Sequence, residues 1–367
     1  MRGGLVTLGE ALGVVAATDP GPLAPGAPMR LDFAGAEATV AVGVRRLGHE
    51  SAWIGSLGAD AVGRMILERL RAEGVDVARC RIDPELPSGL MLRERRTADR
   101  TRVTYYRRSL AGSRLSVDEI DTARIAAAGV LHITGITPAL SDSACAAVDL
   151  AVDTAAGAGV PISLDVNYRR ALWTPARAGA ELAELASRAD ILFAGADEAA
   201  LLLRGCRPEL SHAAADNSTG GSAALAVSAK YGTGQRIPMD ARASDPSSVR
   251  WVPDSDALTD LTWVAESLAA LGPSEVVLKL GAEGAAAWAD GTLLREGAVP
   301  VTAVDPIGAG DAFVAGYLAG LLDGGSVSER LRLASICGAF AVSVPGDWAG
   351  LPYRDELGLL DGADVQR

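Results

Sequence analysis

Two hydrophobic periods alternate along the chain. Short apolar runs at Leu5–Leu8, Ala52–Leu57, Val130–Ile133, Ile162–Val166, Ile191–Phe193 and Val276–Leu280 have the length and composition of buried strands. Stretches with helical spacing lie between them. Val62, Ile66, Leu67 and Leu70 share one face of Ala61–Glu73, and Ala144, Ala147, Val148 and Ala151 share one face of Asp142–Ala158. Strands alternating with helices predict βαβ units and a mostly parallel α/β sheet covered on both faces. The best-bounded helix comes late. Phe313, Val314, Tyr317, Leu318, Leu321 and Leu322 form one stripe, closed by Gly324-Gly325. A further helix is expected from about Ser328 to Val342.

Two segments break the alternation. Gly89–Arg107 reads as a β-hairpin turning near Thr97-Ala98-Asp99-Arg100, set off the main sheet as a flap or lid. Cys206 to about Asp256 is rich in Ser, Ala, Asp and Gly, a composition that predicts a surface excursion without direct catalytic role. No internal repeat is visible.

Composition narrows the function. The 367 residues are 49% hydrophobic and 22% charged, so a large core can form. The net charge of −12 argues against whole-surface binding to nucleic acid or anionic membrane. Lys230 and Lys279 are the only lysines, and neither stands in the Gly-Lys-Ser/Thr of a Walker A loop. His49, His132, His212, Cys80, Cys145, Cys206 and Cys337 show no zinc-ligand spacing. Widely spaced single cysteines predict reduced thiols. No run approaches the roughly 18 apolar residues of a membrane span, and Glu10 interrupts the early apolar patch. A soluble cytoplasmic protein is expected.

Four signals point to chemistry. In Val304-Asp305-Pro306-Ile307-Gly308-Ala309-Gly310-Asp311, a glycine pair runs into the start of the late helix. Unpaired first-turn amides and the helix dipole make an anion site there without any lysine. Asp311 either accepts a proton from a substrate hydroxyl or caps the helix. The window Arg93–Arg108 carries seven arginines against Glu94 and Asp99, so it holds +5 and the rest of the chain −17. Such density suits carboxylate or phosphate recognition, or a charge-protected edge hairpin. Tyr105 and Arg107, two apart, share a strand face. Asp165, Asn167 and Arg169 alternate at a strand's C-terminal end, which is either a ligand crevice or a solvated exit. Lys279-Leu280-Gly281-Ala282-Glu283-Gly284 ends a strand in close glycines and in isolation reads as a turn.

In this order the four signals resemble the ribokinase/PfkB family of sugar kinases, through Asp305–Asp311, similar to the family's Asp-Thr-x-Gly-Ala-Gly-Asp. Pro306 is a form familiar in the 2-keto-3-deoxygluconate kinase branch. Further segments are similar to that branch: Phe33–Glu37, Tyr105-Tyr106-Arg107 with Ala111-Gly112-Ser113, His132–Leu140, Leu164–Arg169 with Leu172-Trp173, and Gly346-Asp347-Trp348 with Leu351–Arg354. The resemblance implies one ribokinase-like domain over 1–367. It would be a three-layer αβα sandwich with a small β lid from about 10–35 and 86–112, and an insertion at about 206–256. It implies Asp311 as catalytic base, with the amides of Gly308, Ala309 and Gly310 as anion hole. Gly35, Tyr105, Arg107, Asn167 and Arg169 would hold the sugar acid, and Lys279, Gly281 and Gly284 would lie at the nucleotide. Glu198 would organise Mg2+ through water, with no direct protein ligand. ATP and Mg2+ are the implied cofactors, with a monovalent cation as an open point, and a homo-oligomer through the lid is implied. Three positions depart from the pattern: Gly195 and Thr39 stand where asparagines are usual, and Met91 where an aromatic is common.

The expected activity is therefore ATP-dependent phosphorylation of 2-keto-3-deoxygluconate or a close sugar acid. The alternatives are the same chemistry on a neutral sugar, as in fructokinase- or ribokinase-like relatives, and a sugar-acid sensor without catalysis. An oxidoreductase is disfavoured because no GxGxxG occurs.

Overall fold

The structure is a computed structural model that describes residues 3–97, 100–205 and 257–361. The expected excursion at 206–256 lies outside the described residues, as do Ala98 and Asp99 of the hairpin turn. Strands β1 (Leu5–Leu8), β4 (Ser51–Ile54), β9 (Val130–Thr134), β10 (Ile162–Asp165), β11 (Ile191–Gly195) and β12 (Glu275–Lys279) pair in parallel, in the order β12-β11-β10-β9-β1-β4. β13 (Ala285–Ala289) and β14 (Thr292–Glu296) add an antiparallel edge, giving eight strands. The Ala52–Leu57 run splits into β4 and a separate short strand, β5 (Ser56–Gly58), which pairs with β6 (Arg81–Asp83). The helices over Ala61–Ala72 (α2) and Asp142–Ala158 (α4) match the periodicity, and so do those over Ala309–Leu322 (α8) and Val327–Val342 (α9).

Successive strand residues go to opposite cores, as expected of a sheet buried on both faces. In β11, Leu192 and Ala194 pack with Val148 and Ala151 of α4 in one cluster, while Ile191 and Phe193 pack with Phe313 and Tyr317 of α8 in the other. The Phe193 and Tyr317 rings meet edge to face, with centroids 5.2 Å apart. Helix α1 (Ala36–Arg46) lies in the same layer as α8, with Val40, Ala41 and Val44 buried against it. The result is the expected α/β fold, a mostly parallel sheet between two helical layers.

A second sheet stands apart. Four strands run in the order β3-β2-β7-β8: Met29–Ala34, Leu12–Ala17, Leu90–Arg95 and Thr101–Tyr106. β7 and β8 form the antiparallel hairpin, with Met91 opposite Tyr105. This lid buries a small core of its own, Leu12, Val14, Ala16, Ala34 and Met91. It reaches the main domain over the C-terminal ends of the parallel strands, where open α/β sheets bind ligands.

Candidate active site

The strand ends bring the chemistry together. Asp165 ends β10 with 1% of its surface exposed and pairs with Lys279 Nζ at the end of β12, 2.7 Å away. Burial works against the Lys279 charge, but Asp165, then Glu198 and Asp311, outweigh it and hold its pKa above the ordinary lysine value. A methyl group on Gly310 would come within 3.8 Å of Nζ, so the ammonium stands beside the glycine turn.

That turn opens α8. Gly308 is the N-cap at φ 79°, a left-handed conformation that favours glycine. A side chain there would also clash with the Asp347 carbonyl. The first-turn amides of α8 have no partner inside the helix and point outward with the positive end of its dipole. Asp311 lies in this first turn, half-buried. No side-chain bond caps the helix start. The Asp311 carboxylate is met instead by Asn167 Nδ2 at 3.5 Å, from a backbone with φ 40° that asparagine tolerates better than most residues. Burial first, then the neighbouring Asp165, push the Asp311 pKa up to about 7 against the opposing charges of Arg169 and Lys279. A carboxyl poised there can exchange a proton near neutrality.

Two further carboxyls are buried at the same end. Glu37, in the first turn of α1, accepts hydrogen bonds from the Thr134 and Thr137 hydroxyls, each 2.6 Å away. Burial raises its pKa despite these bonds. Glu10 follows β1 and forms an ion pair with Arg107, just beyond β8. Burial pushes Glu10 up to about 7, with Arg107 opposing. A side chain on Gly35 would strike the Glu10 carbonyl, and one on Gly112 its carboxyl end, so packing closes around this acid. The Arg107 guanidinium also lies 5.5 Å from the Tyr105 ring centre, consistent with their shared face. Arg107 is therefore neutralised within the protein. Arg169 is different: it is exposed, donates to the Tyr168 carbonyl at 3.2 Å, and forms no ion pair among the described residues.

Glu198, in α6 (Ala196–Gly205), accepts the Gly195 N–H at 2.8 Å and the Tyr168 N–H at 2.9 Å. Its carboxylate is thus fixed by backbone at the junction of β10 and β11. No group of three or more His, Cys, Asp or Glu side chains able to hold a metal occurs among the described residues. A single anchored carboxylate fits magnesium held largely by water and phosphate oxygens, not a closed protein cage. Gly281 (φ 62°) has open space where a side chain would go, whereas Gly284 packs on the Glu296 carbonyl, a need internal to the fold.

Comparison with known proteins identifies the family. A model of the pfkB family of carbohydrate kinases matches residues 4–229 and 250–354. The chain belongs to this family. It is 32% identical over 357 residues to the 2-dehydro-3-deoxygluconokinase of Bacillus subtilis (96% of this chain, 93% of that protein). It is 34% identical over 358 residues to the enzyme of the same name from Thermoproteus tenax (96% and 92%). Among solved structures, a PfkB protein from Polaromonas sp. JS666 superposes with a TM-score of 0.74 at 30% identity, covering 97% of this chain and 99% of that one.

As a carbohydrate kinase, the protein is a phosphotransferase acting on an alcohol group. Of the residues expected at the site, Asp311, Gly308–Gly310, Asn167, Arg169, Lys279 and Glu198 converge at the strand ends. Gly35, Tyr105 and Arg107 gather around Glu10 at the lid junction. Lys279, expected at the nucleotide, stands beside Gly310 and Asp165, at the centre of the kinase. Sequence reasoning passed over Glu10, Glu37 and the pairing of Asp165. The only local signal for them is a charged residue directly after or beside an apolar run. His132 proves structural: it is fully buried and bonded through Nδ1 to Ser163 Oγ at 3.0 Å, and burial drives its pKa down to about 3.

Proposed function

We propose that this kinase transfers the γ-phosphoryl group of ATP to the terminal hydroxyl of 2-keto-3-deoxygluconate, giving 2-keto-3-deoxy-6-phosphogluconate. The observation that carries the chemistry is Asp311, desolvated in the first turn of α8 behind Gly308 and opposed by Arg169 and Lys279. Asp311 takes the hydroxyl proton as that oxygen attacks. The α8 amides and Lys279 face the charge that develops on the transferred group, so catalysis rests on positioning and electrostatics. Magnesium, held through water by Glu198, would supply further charge neutralisation at the phosphates. Arg169 meets the carboxylate end of the sugar acid, and Tyr105 with Arg107 closes over it. The kinases of the same name in Bacillus subtilis and Thermoproteus tenax support the substrate. A cytoplasmic setting, a homo-oligomer through the lid, and a choice between monovalent-cation dependence and independence belong to the same reading.

The Glu10–Arg107 pair favours a second reading, the same chemistry on a neutral sugar, because one of the two arginines expected at the carboxylate is already neutralised. Turnover with ATP and magnesium on 2-keto-3-deoxygluconate, fructose and ribose decides between them. The acid is expected to lead in kcat/KM by at least ~100-fold, the scale of an unpaired charge–charge contact. Equal or faster turnover of a neutral sugar overturns the first reading.

A further inference from the structure

We propose that Arg93 is a positioning residue that ties the lid to the anion-binding turn, so that the geometry of Gly308–Gly310 depends on a lid strand. This rests on the reading of that turn as the anion hole. Arg93 lies in β7, between Ala16 of β2 and Val103 of β8. Unlike the outward-facing Arg96, Arg100, Arg102 and Arg108, it points inward and is only 6% exposed. Its Nη2 donates to Asp347 Oδ1 at 2.6 Å, and its Nη1 stands 3.9 Å from Asp305 Oδ2.

These two carboxylates belong to the two chain segments that shape Gly308. Asp305 accepts the Ile307 N–H on Oδ1 at 3.1 Å and the Gly346 N–H on Oδ2 at 3.2 Å, which folds the signature and joins it to the 346–348 loop. The N–H groups of Val304 and Asp305 both donate to the Val342 carbonyl. On the other side, the Asp347 carbonyl fills the space where a Gly308 side chain would go. One guanidinium therefore holds both walls of the N-cap. A second lid strand grips the same loop. In β3, Asp32 accepts from Trp348 Nε1 at 3.2 Å, Arg30 Nη2 donates to the Pro345 carbonyl at 3.1 Å, and the Phe33 and Trp348 rings lie 5.0 Å apart.

The charges around Asp347 make Arg93 necessary. Asp32, Asp305 and Asp347 converge there with Arg93 as their buried cation. Burial, with Asp305 and Asp32, raises the Asp347 pKa while Arg93 lowers it. Without Arg93, Asp305 and Asp347 repel across the turn, and the segments flanking Gly308 separate. The α8 amides then miss the position of the transferring oxygens. Of the groups proposed to hold the sugar, Asn167 and Arg169 stand at the β10 end, away from this junction. Arg107 keeps its separate tie to Glu10, so sugar affinity is expected to change little.

The test is the steady-state kinetics of Arg93→Met, Arg93→Lys, Asp347→Asn and the double variant Arg93→Met/Asp347→Asn, with sugar binding by calorimetry and a thermal melt of each. Arg93→Met is expected to lower kcat about 100-fold, the scale of a misplaced oxyanion donor, with KM and the sugar dissociation constant within about threefold. Arg93→Lys keeps the charge but cannot span two carboxylates, so about a tenfold kcat loss is expected. Asp347→Asn in the Arg93→Met background relieves the repulsion and should restore kcat about fivefold. A purely structural Arg93 would lower the melting temperature and leave kcat of the folded fraction intact. Turnover of Arg93→Met within threefold of the parent, a loss confined to KM, or losses that multiply in the double variant would each overturn the proposal. Should Arg93→Met not fold, Arg93→Lys decides alone, with unchanged kcat overturning it. An inactive parent on the sugar acid refutes the substrate reading instead, and the series is then run on whichever acceptor the panel reveals.

Discussion

Floor and lid of the site both bury charge, but they balance it in opposite ways. At the strand ends of the large sheet, Asp165, Glu198 and Asp311 act together on Lys279, with the exposed Arg169 as the other cation near Asp311, so acids outnumber bases. At the lid junction each buried arginine is held directly by carboxylates: Arg107 by Glu10, and Arg93 by Asp347 with Asp305 beside it. Burial first, and then the neighbouring negative charge of the floor, keep a proton on Asp311 up to about pH 7. The lid arginines that meet the site are already engaged by the protein's own acids, and the remaining ones mostly face solvent. The +5 of the hairpin is thus largely a surface property, and on the proposed reading a substrate carboxylate would rely on Arg169 more than on the lid as a whole.

The comparison breaks first at Asp311. Replacing Asp311 by Asn is expected to lower kcat by about 10³-fold, within the range of a lost general base, while the KM for the sugar stays within a few-fold. Near-normal turnover would remove the floor's role. The two arginines sharpen the contrast next. Arg169→Ala should raise the KM for the sugar acid by about 10- to 100-fold, as expected for a lost charge-assisted bond, with an unchanged melting temperature. Arg107→Ala should lower the melting temperature as well, because it leaves Glu10 buried without its cation. Identical behaviour of the two variants in kinetics and melting would erase the distinction.

The smallest effect is in pH. With Asp311 as the proposed base, which must be ionised to act, kcat/KM should fall about tenfold per unit below pH ~7 and level off above it. Stability should run the other way. Asp311 and Glu10 both titrate near 7 when folded but at ordinary carboxylate values when unfolded, so between about pH 4 and 7 the folded state binds more protons. Unfolding free energy should therefore rise as the pH falls from 8 toward 5. Denaturant melts that show a decline over that range would contradict the buried setting of these acids.

Much of the fold was legible because its signals are local. Strand and helix periods lie within a dozen residues, and the Asp305–Asp311 turn brings glycine, helix start and carboxylate together along the chain. The edge strands β13 and β14 were not legible, since the run Ala285–Ala289 has neither a branched side chain nor an alternation to announce it. The roles of Glu10 and Glu37 and the pairing of Asp165 with Lys279 escaped for another reason: the partners of each acid come from distant segments. Arg93 was counted in the charge of its window, yet the alternation of β7 puts it on the inner face with Met91, a clue that period-two spacing carries.

The order of assembly follows from the same wiring. Arg93 and Asp347 stand 254 residues apart, and Asn167 and Asp311 stand 144 apart. Every strand of the large sheet precedes the signature turn. During synthesis the sheet scaffold and the lid can collapse early, but the candidate site closes only when the 305–348 segment emerges and docks. Chains that stop short of it would expose the apolar face meant for α8, which makes them substrates for chaperones and proteases, not slow enzymes.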